Sequence, residues 1–323
     1  MTESTYDKLR EHYTVGGLYQ LPQRKEVLQL LKLRLTPEEA DLALMIPVWG
    51  RGKTSIAALV EKSGQSQARV EEILAKMLRR GLSVSQKARS GEGEVYCLFD
   101  FSYSLYTPLW ADGYDDDEKR QVAAVREKMW QAGSHYLDYN SRFIVSRVLP
   151  HESTLDPVDK VEPWERVSHY IEQTSAICAV ACGCRASTKK CNRPLWSCVH
   201  MGEEVDYWVK YRNGRRLSKD EALQVITDAG KAGLVITGLN YQEMQRVFCS
   251  CCPDCCLLLR PYIENNNPYS LARSNFMPQF YTDKCKACLT CKDSCPVGAI
   301  GRIPAFEEGK KDRMVAIKER CIG

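Results

Sequence analysis

Residues 285–296 read C-K-A-C-L-T-C-K-D-S-C-P, and this stretch decides how the rest of the chain is read. Its spacing is C-x2-C-x2-C-x3-C-P. Three thiolates so close together let one loop wrap one face of a [4Fe–4S] cube, and the fourth ordinarily serves a second cube. Zinc sites favour separated pairs of ligands, so zinc is the weaker alternative here. A second copy of the run is expected about 30 residues later. K-E-R-C-I-G, from Lys318, opens such a copy with Cys321 as its first thiol. Ligand counting leads to the expectation that the native chain continues past Gly323. The alternative is one site made by Cys285, Cys288, Cys291 and Cys295, with Cys321 free.

Two further groups lie upstream. Residues 249–256 read C-S-C-C-P-D-C-C. Cys249, Cys252 and Cys255 repeat the C-x2-C-x2-C spacing, and Cys251 and Cys256 are within reach. A cubane needs four thiolates, so either one thiol is spare or the groups share ligands. An unusual cluster and zinc both stay open at this group. The segment C-G-C-R-A-S-T-K-K-C-N-R-P-L-W-S-C-V-H places Cys182, Cys184, Cys191 and Cys198 across seventeen residues. Arg185, Lys189, Lys190 and Arg193 stand among them, and cations stabilise an anionic thiolate cluster. Cys178, on the apolar run S-A-I-C-A-V-A-C, reads as a core thiol. His200 reads as a bystander, and His12, His135, His151 and His169 as surface or structural histidines. The expected metal ligands are Cys182, Cys184, Cys191, Cys198, Cys249, Cys252, Cys255, Cys256, Cys285, Cys288, Cys291 and Cys295, with Cys251 and Cys321 as further cofactor contacts.

The chain has 323 residues and sixteen cysteines, fifteen of them from Cys178 onward. The opening M-T-E-S-T-Y-D-K-L-R-E-H has no apolar signal region, and no long apolar window predicts a membrane span. A cytoplasmic location is expected, and its reducing conditions argue against a disulfide framework. Neighbours such as Cys251–Cys252 also suit disulfide geometry poorly. A net charge of +4 gives no mandate for nucleic acid or membrane binding.

The N-terminal half shows helical periodicity. T-P-E-E from Thr36 is a capping box with proline at the first helical position. T-S-I-A-A-L-V-E-K-S-G and S-Q-A-R-V-E-E-I-L-A-K-M-L-R-R-G predict two more helices, closed by Gly64 and Gly81. Two short strands, L-S-V-S-Q and E-V-Y-C-L-F, flank a glycine-rich turn. Three helices and a hairpin make a winged helix. P-V-W-G-R-G-K-T, from Pro47, imitates a phosphate-binding loop but puts proline where the first glycine must turn. The expected fold class is α+β. Its segments are a helical lead (1–35), the winged helix (36–110), a helical segment and Pro-rich linker (111–170), a Cys-rich iron–sulfur domain (171–280) and a bacterial ferredoxin-like domain (281–323).

With these residues in place, the chain resembles the winged-helix-containing 4Fe-4S ferredoxin-type (dicluster) proteins of anaerobic bacteria. The stretches that carry the resemblance are R-V-L-P from Arg147, E-P-W-E from Glu162, C-G-C-R from Cys182, C-N-R-P-L-W-S-C from Cys191, R-L-S-K-D-E-A-L from Arg216, A-G-L-V near Gly233, residues 249–256, S-N-F from Ser274 and the 285–296 run. The missing second ferredoxin run is the departure. The resemblance implies electron transfer through two or more [4Fe–4S] clusters beside a partner such as a flavoprotein or an acyl-CoA redox enzyme, within a larger complex.

Two other functions compete with an electron carrier or redox subunit. One is a redox-sensing DNA-binding regulator, in which Gln65, Gln67, Arg69, Lys87 and Arg89 would face the nucleic acid. Glu71 and Glu72 oppose it, because a strong binder needs a basic footprint. The other is a reductase with a catalytic cluster among the surplus thiols. No dinucleotide fingerprint or Ser/His/Asp arrangement points to a stand-alone enzyme.

Overall fold

The computed structural model describes all residues except 1–3, 15–20, 22–23, 89–92, 132–143, 157, 159, 241–244, 308 and 310. Helices and strands are mixed, as an α+β chain requires. Contacts define two compact units: residues 1–143 with 174–218, and residues 144–173 with 219–323. Ten strands lie among the described residues: β1 Ser83–Lys87, β2 Glu94–Leu98, β3 Ser146–Val148, β4 Ile177–Val180, β5 Cys198–Met201, β6 Arg215–Arg216, β7 Val235–Leu239, β8 Val247–Cys251, β9 Ile300–Ile303 and β10 Arg313–Ala316.

Unit one opens with the helices Thr5–Thr14 and Lys25–Arg34. Thr36 and Glu39 form the reciprocal capping box of helix Pro37–Ala43. Ser55 caps helix Ile56–Ser63, and Gly64 closes it in the left-handed region at φ 65°. Ser66 caps helix Gln67–Arg79, whose buried stripe is Val70, Ile73, Leu74, Met77 and Leu78. β1 and β2 pair antiparallel, with Ser83 opposite Leu98 and Lys87 opposite Glu94. Most of the glycine-rich turn, with Arg89, lies outside the described residues. The Pro47–Thr54 stretch runs beside β2, through bridges Val48–Leu98 and Thr54–Tyr96, with no strand–loop–helix context for a phosphate. The helical segment expected from residue 111 includes helix Asp117–Gln131; residues 132–143, with His135, lie outside the described residues.

The second part of unit one centres on β4, which pairs antiparallel with both β5 and β6. Helix Val205–Tyr211 packs on β4 and on β1, and so joins the two parts of the unit. Buried Arg212 fastens that joint. Its Nε donates to Pro108 O at 2.8 Å, and Nη2 donates to Leu109 O at 2.9 Å and Asp112 Oδ2 at 3.0 Å. Nη1 donates to Arg79 O.

In unit two, β7 lies between β3 and β8, antiparallel to both. The stretch from Arg147, expected as an extended linker, therefore begins as a sheet strand. Helices Val167–Gln173 and Lys219–Lys231 pack together, and the second also packs on β7. His151 Nε2 bonds Leu234 O at 3.0 Å, a structural role as expected. β9 and β10 form a hairpin, Ile300 opposite Ala316, behind the 285–296 loop. No described helix is long and apolar enough to cross a membrane.

Candidate metal centres

In unit one, β4 delivers the chain to Cys182, which starts the short helix Gly183–Thr188. Cys182 N–H donates to Leu195 O at 2.8 Å, and β5 begins at Cys198. This hairpin-like return brings three thiols together. The Cys182 thiol is hydrogen-bonded with Cys184 and Cys198. Those two bonds, with the Arg185 charge, hold it well below the ordinary thiol range despite burial. A thiol so biased toward thiolate suits a metal, since the thiolate is the ligand. Cys191 stands half-buried in the loop between the helix and β5.

Gly183 explains the C-G-C spacing. A Cβ there would lie 2.4 Å from the carbonyl carbon and oxygen of Tyr106 and 2.7 Å from Thr107 N. The backbone between the two thiols thus presses directly on the 106–107 backbone, and only glycine fits. Of the cations expected around this group, Arg185 is buried and bonds Ser197. Lys189 and Lys190 pair instead with Asp115 and Glu127. Arg120 donates to Ala186 O at 2.9 Å and Ser187 O at 3.3 Å, anchoring the end of the short helix.

The bystanders behave as core groups. Cys178 is fully buried, and desolvation pushes its thiol up to about 12, with Arg216 only partly opposing. His200 is 2% exposed and its ring centroid lies 4.3 Å from that of Trp208. Burial depresses its pKa to about 3, so the imidazole is neutral.

In unit two, Cys249 lies inside β8 and Cys251 ends it, and Cys252, Cys255 and Cys256 lie on the turn leading to helix Leu259–Glu264. Cys251, Cys252, Cys255 and Cys256 are all buried. The Cys252 and Cys255 sulfurs lie within 4.8 Å of each other. Cys256 Sγ lies 3.0 Å from Cys251 Sγ and accepts from Leu258 N–H at 3.3 Å.

The 285–296 loop is the most exposed of the three groups. Ala287 and Leu289 adopt left-handed φ of 53° and 64°, which coil the backbone tightly between successive cysteines. Cys285 Sγ accepts from Ala287 N–H at 3.4 Å, and Cys295 Sγ from Ala299 N–H at 3.2 Å. Thr290 Oγ1 donates to Cys288 Sγ at 3.4 Å, and hydrogen bonds from Thr290 hold this exposed thiol below its ordinary range. Cys291 rides on helix Thr290–Ser294, which ends at Cys295. Amide and hydroxyl donors aimed at cysteine sulfurs are the contacts that hold and tune an iron–sulfur cluster, so the residues fit such a group.

Residues 278–301 match the family profile described as a 4Fe-4S binding domain. No curated protein matches the chain, and no solved structure matches it. The chain thus carries an iron–sulfur-binding domain near its C-terminal end, with further cysteine-rich groups upstream. The sulfur-directed donors Ala287, Thr290 and Ala299 and the steric role of Gly183 emerge only from the structure. A glycine between two cysteines was the one visible hint.

Proposed function

We propose that the protein is a multi-cluster iron–sulfur electron-transfer protein, or the electron-transfer subunit of a larger redox complex. The 4Fe-4S match at residues 278–301, with sulfur-directed donors in the same loop, carries this reading. A bound [4Fe–4S] cluster supplies one-electron chemistry. The protein's own part is to hold thiolates, exclude water and set the field around them. In unit one, Cys182, Cys184, Cys191 and Cys198 are the ligands we assign, with Arg185 as the charge that balances them. In unit two they come from Cys249–Cys256 and from Cys285–Cys295, with Cys321. Cysteines of this density, read as metal ligands, suit a reducing, cytoplasmic setting.

We read residues 36–110 as a winged helix that contacts protein rather than nucleic acid. Arg69, the cation best placed for phosphates, is engaged by Glu38 at 2.7 Å and by Glu72. Lys76 pairs with Glu72 at 2.8 Å. That helix face offers little free positive charge for DNA, whose binding rests on phosphate neutralisation. A flavoprotein or acyl-CoA redox enzyme is the kind of partner the family resemblance suggests. We read residues 281–323 as a ferredoxin-like domain.

Anaerobically purified protein tests the reading. It should be brown, with iron and acid-labile sulfide in comparable amounts and a flavin or redox enzyme co-purifying. Stoichiometric zinc without sulfide would defeat it.

A further inference from the structure

Ten of the sixteen thiols belong to unit two. Spacing along the chain sorts them as 249–256 and 285–295, with Cys321 apart. Packing sorts them otherwise. Cys251 and Cys256 are buried members of one apolar core that also contains Leu259, Val297, Ala299 and Ile322. Cys249, Cys295 and Cys321, all half-buried, pack against that same core. Cys285, Cys288 and Cys291 do not belong to it among the described residues.

Short leads bring Cys251, Cys256, Cys295 and Cys321 to this core. Helix Leu259–Glu264 starts three residues after Cys256, and Val297 follows Cys295 by two. Ile317 N–H donates to Ala299 O at 2.7 Å, and Cys321 N–H to Ile317 O at 2.9 Å, so the two segments bearing Cys295 and Cys321 are pinned together. Tyr262 Oη then donates to Arg320 O at 3.3 Å, tying Cys321's neighbour to the helix that follows Cys256. Cys249 shares the core but lies two residues back along β8, about 7 Å from Cys251, whereas Cys256 Sγ lies 3.0 Å from Cys251 Sγ.

We propose that Cys251, Cys256, Cys295 and Cys321 hold one iron–sulfur centre, separate from the one taken by Cys285, Cys288 and Cys291. Four thiolates are the complement of one cluster. Thiolates buried in an apolar core are costly unless a metal takes their charge, so binding there also stabilises the fold. The proposal rests on the iron–sulfur reading above.

Single Cys→Ser variants at the four positions, reduced and examined by electron paramagnetic resonance, test the grouping. All four should lose or shift the same signal, with loss of about four irons per chain where the cluster is lost. The signal that Cys285→Ser alters should persist in each. If Cys295→Ser or Cys321→Ser alters the Cys285-sensitive signal, or any of the four leaves every signal unchanged, the grouping is wrong. If the buried-site variants do not fold, wild-type protein decides. Its clusters are destroyed with ferricyanide, each disulfide passing two electrons to two ferricyanide ions, and the disulfides are mapped. Links joining Cys295 or Cys321 to Cys251 or Cys256 support the centre. Links from Cys295 and Cys321 only to Cys285, Cys288 or Cys291 overturn it. Wild-type protein without iron or sulfide would instead defeat the underlying reading, a result visible before any variant is made.

Discussion

Gly183→Ala tests the architecture of the unit-one thiols directly. The added Cβ would sit 2.4 Å from two backbone atoms of Tyr106. Ordinary contact starts at about 3.4 Å, so roughly 1 Å of movement is needed. No flexible side chain can give way, because the obstacle is backbone. Gly183 lies between Cys182 and Cys184, so the displacement moves two of the three clustered thiols. Overpacking of this kind costs about 1–3 kcal/mol. The helix-propensity gain of alanine, below about 1 kcal/mol, offsets only part of it at a first helical position. In a unit of this size each kcal/mol lowers Tm by about 2–4 °C. Iron and acid-labile sulfide analysis of anaerobically purified variant should show loss of one centre, and thermal unfolding of unit one should shift down. Wild-type iron content together with wild-type Tm would refute the steric argument. Gly230→Ala is the contrast: the atoms nearest its Cβ belong to the His151 side chain, far from any cysteine group in sequence, so iron content should be unchanged.

Other outcomes follow from the same structure. Cys178→Ala should cost about 1 kcal/mol and leave iron content unchanged, since its thiol is buried and protonated; loss of iron would make it a ligand. Arg212→Met should destabilise unit one by about 3–5 kcal/mol in urea unfolding, because it strips a buried charge from Asp112 and three carbonyls; a change within ±0.5 kcal/mol would show the joint is not needed. Thr290→Val removes the hydroxyl donor to Cys288 and should lower the reduction potential of the centre proposed for Cys288, read by redox titration, since hydrogen bonds to sulfur favour the more negative reduced state; an unchanged potential would show that this bond does not tune the centre. Burial pushes the Glu118 carboxyl up, but Arg34 and Arg80 more than offset this and hold it below the ordinary range. Its contribution is therefore present above the unfolded value, about 4.3, and lost as pH falls through the lower folded value; Glu118→Gln should flatten that acid limb, and an identical pH profile would contradict the pairing.

How much of this was legible in the sequence differs by element. The capping box at Thr36, the caps Ser55 and Ser66, and the stripe of helix Gln67–Arg79 were readable because local chemistry and a 3.6-residue period settle them. The 285–296 run was readable because its ligands are adjacent in the chain. β3 was missed because it is only three residues long and Pro150 follows it closely, so it carries no usable alternation; its pairing with β7 is a long-range choice. The donors to sulfur were missed because backbone amides have no sequence signature. The contact units change between Gln173 and Thr174 and again between Ser218 and Lys219.

The thiols at 249–256 show how a strand bears on the reading of a spacing. Read as C-x2-C-x2-C, the stretch suggests that Cys249, Cys252 and Cys255 act together. But Cys249 lies inside a strand, and in a strand side chains alternate with period two. Cys249 and Cys251 therefore share a face, and Cys249 packs on the same apolar core that contains Cys251. The turn after β8 then changes the rule. Cys252 and Cys255 approach each other, while Cys256 comes back beside Cys251. A spacing of three is a ligand pattern only where the backbone coils, as it does through the left-handed residues Ala287 and Leu289. Where the same spacing begins in a strand, parity overrides it. The five thiols thus include two close pairs, Cys252 with Cys255 and Cys251 with Cys256, with Cys249 on the face of Cys251.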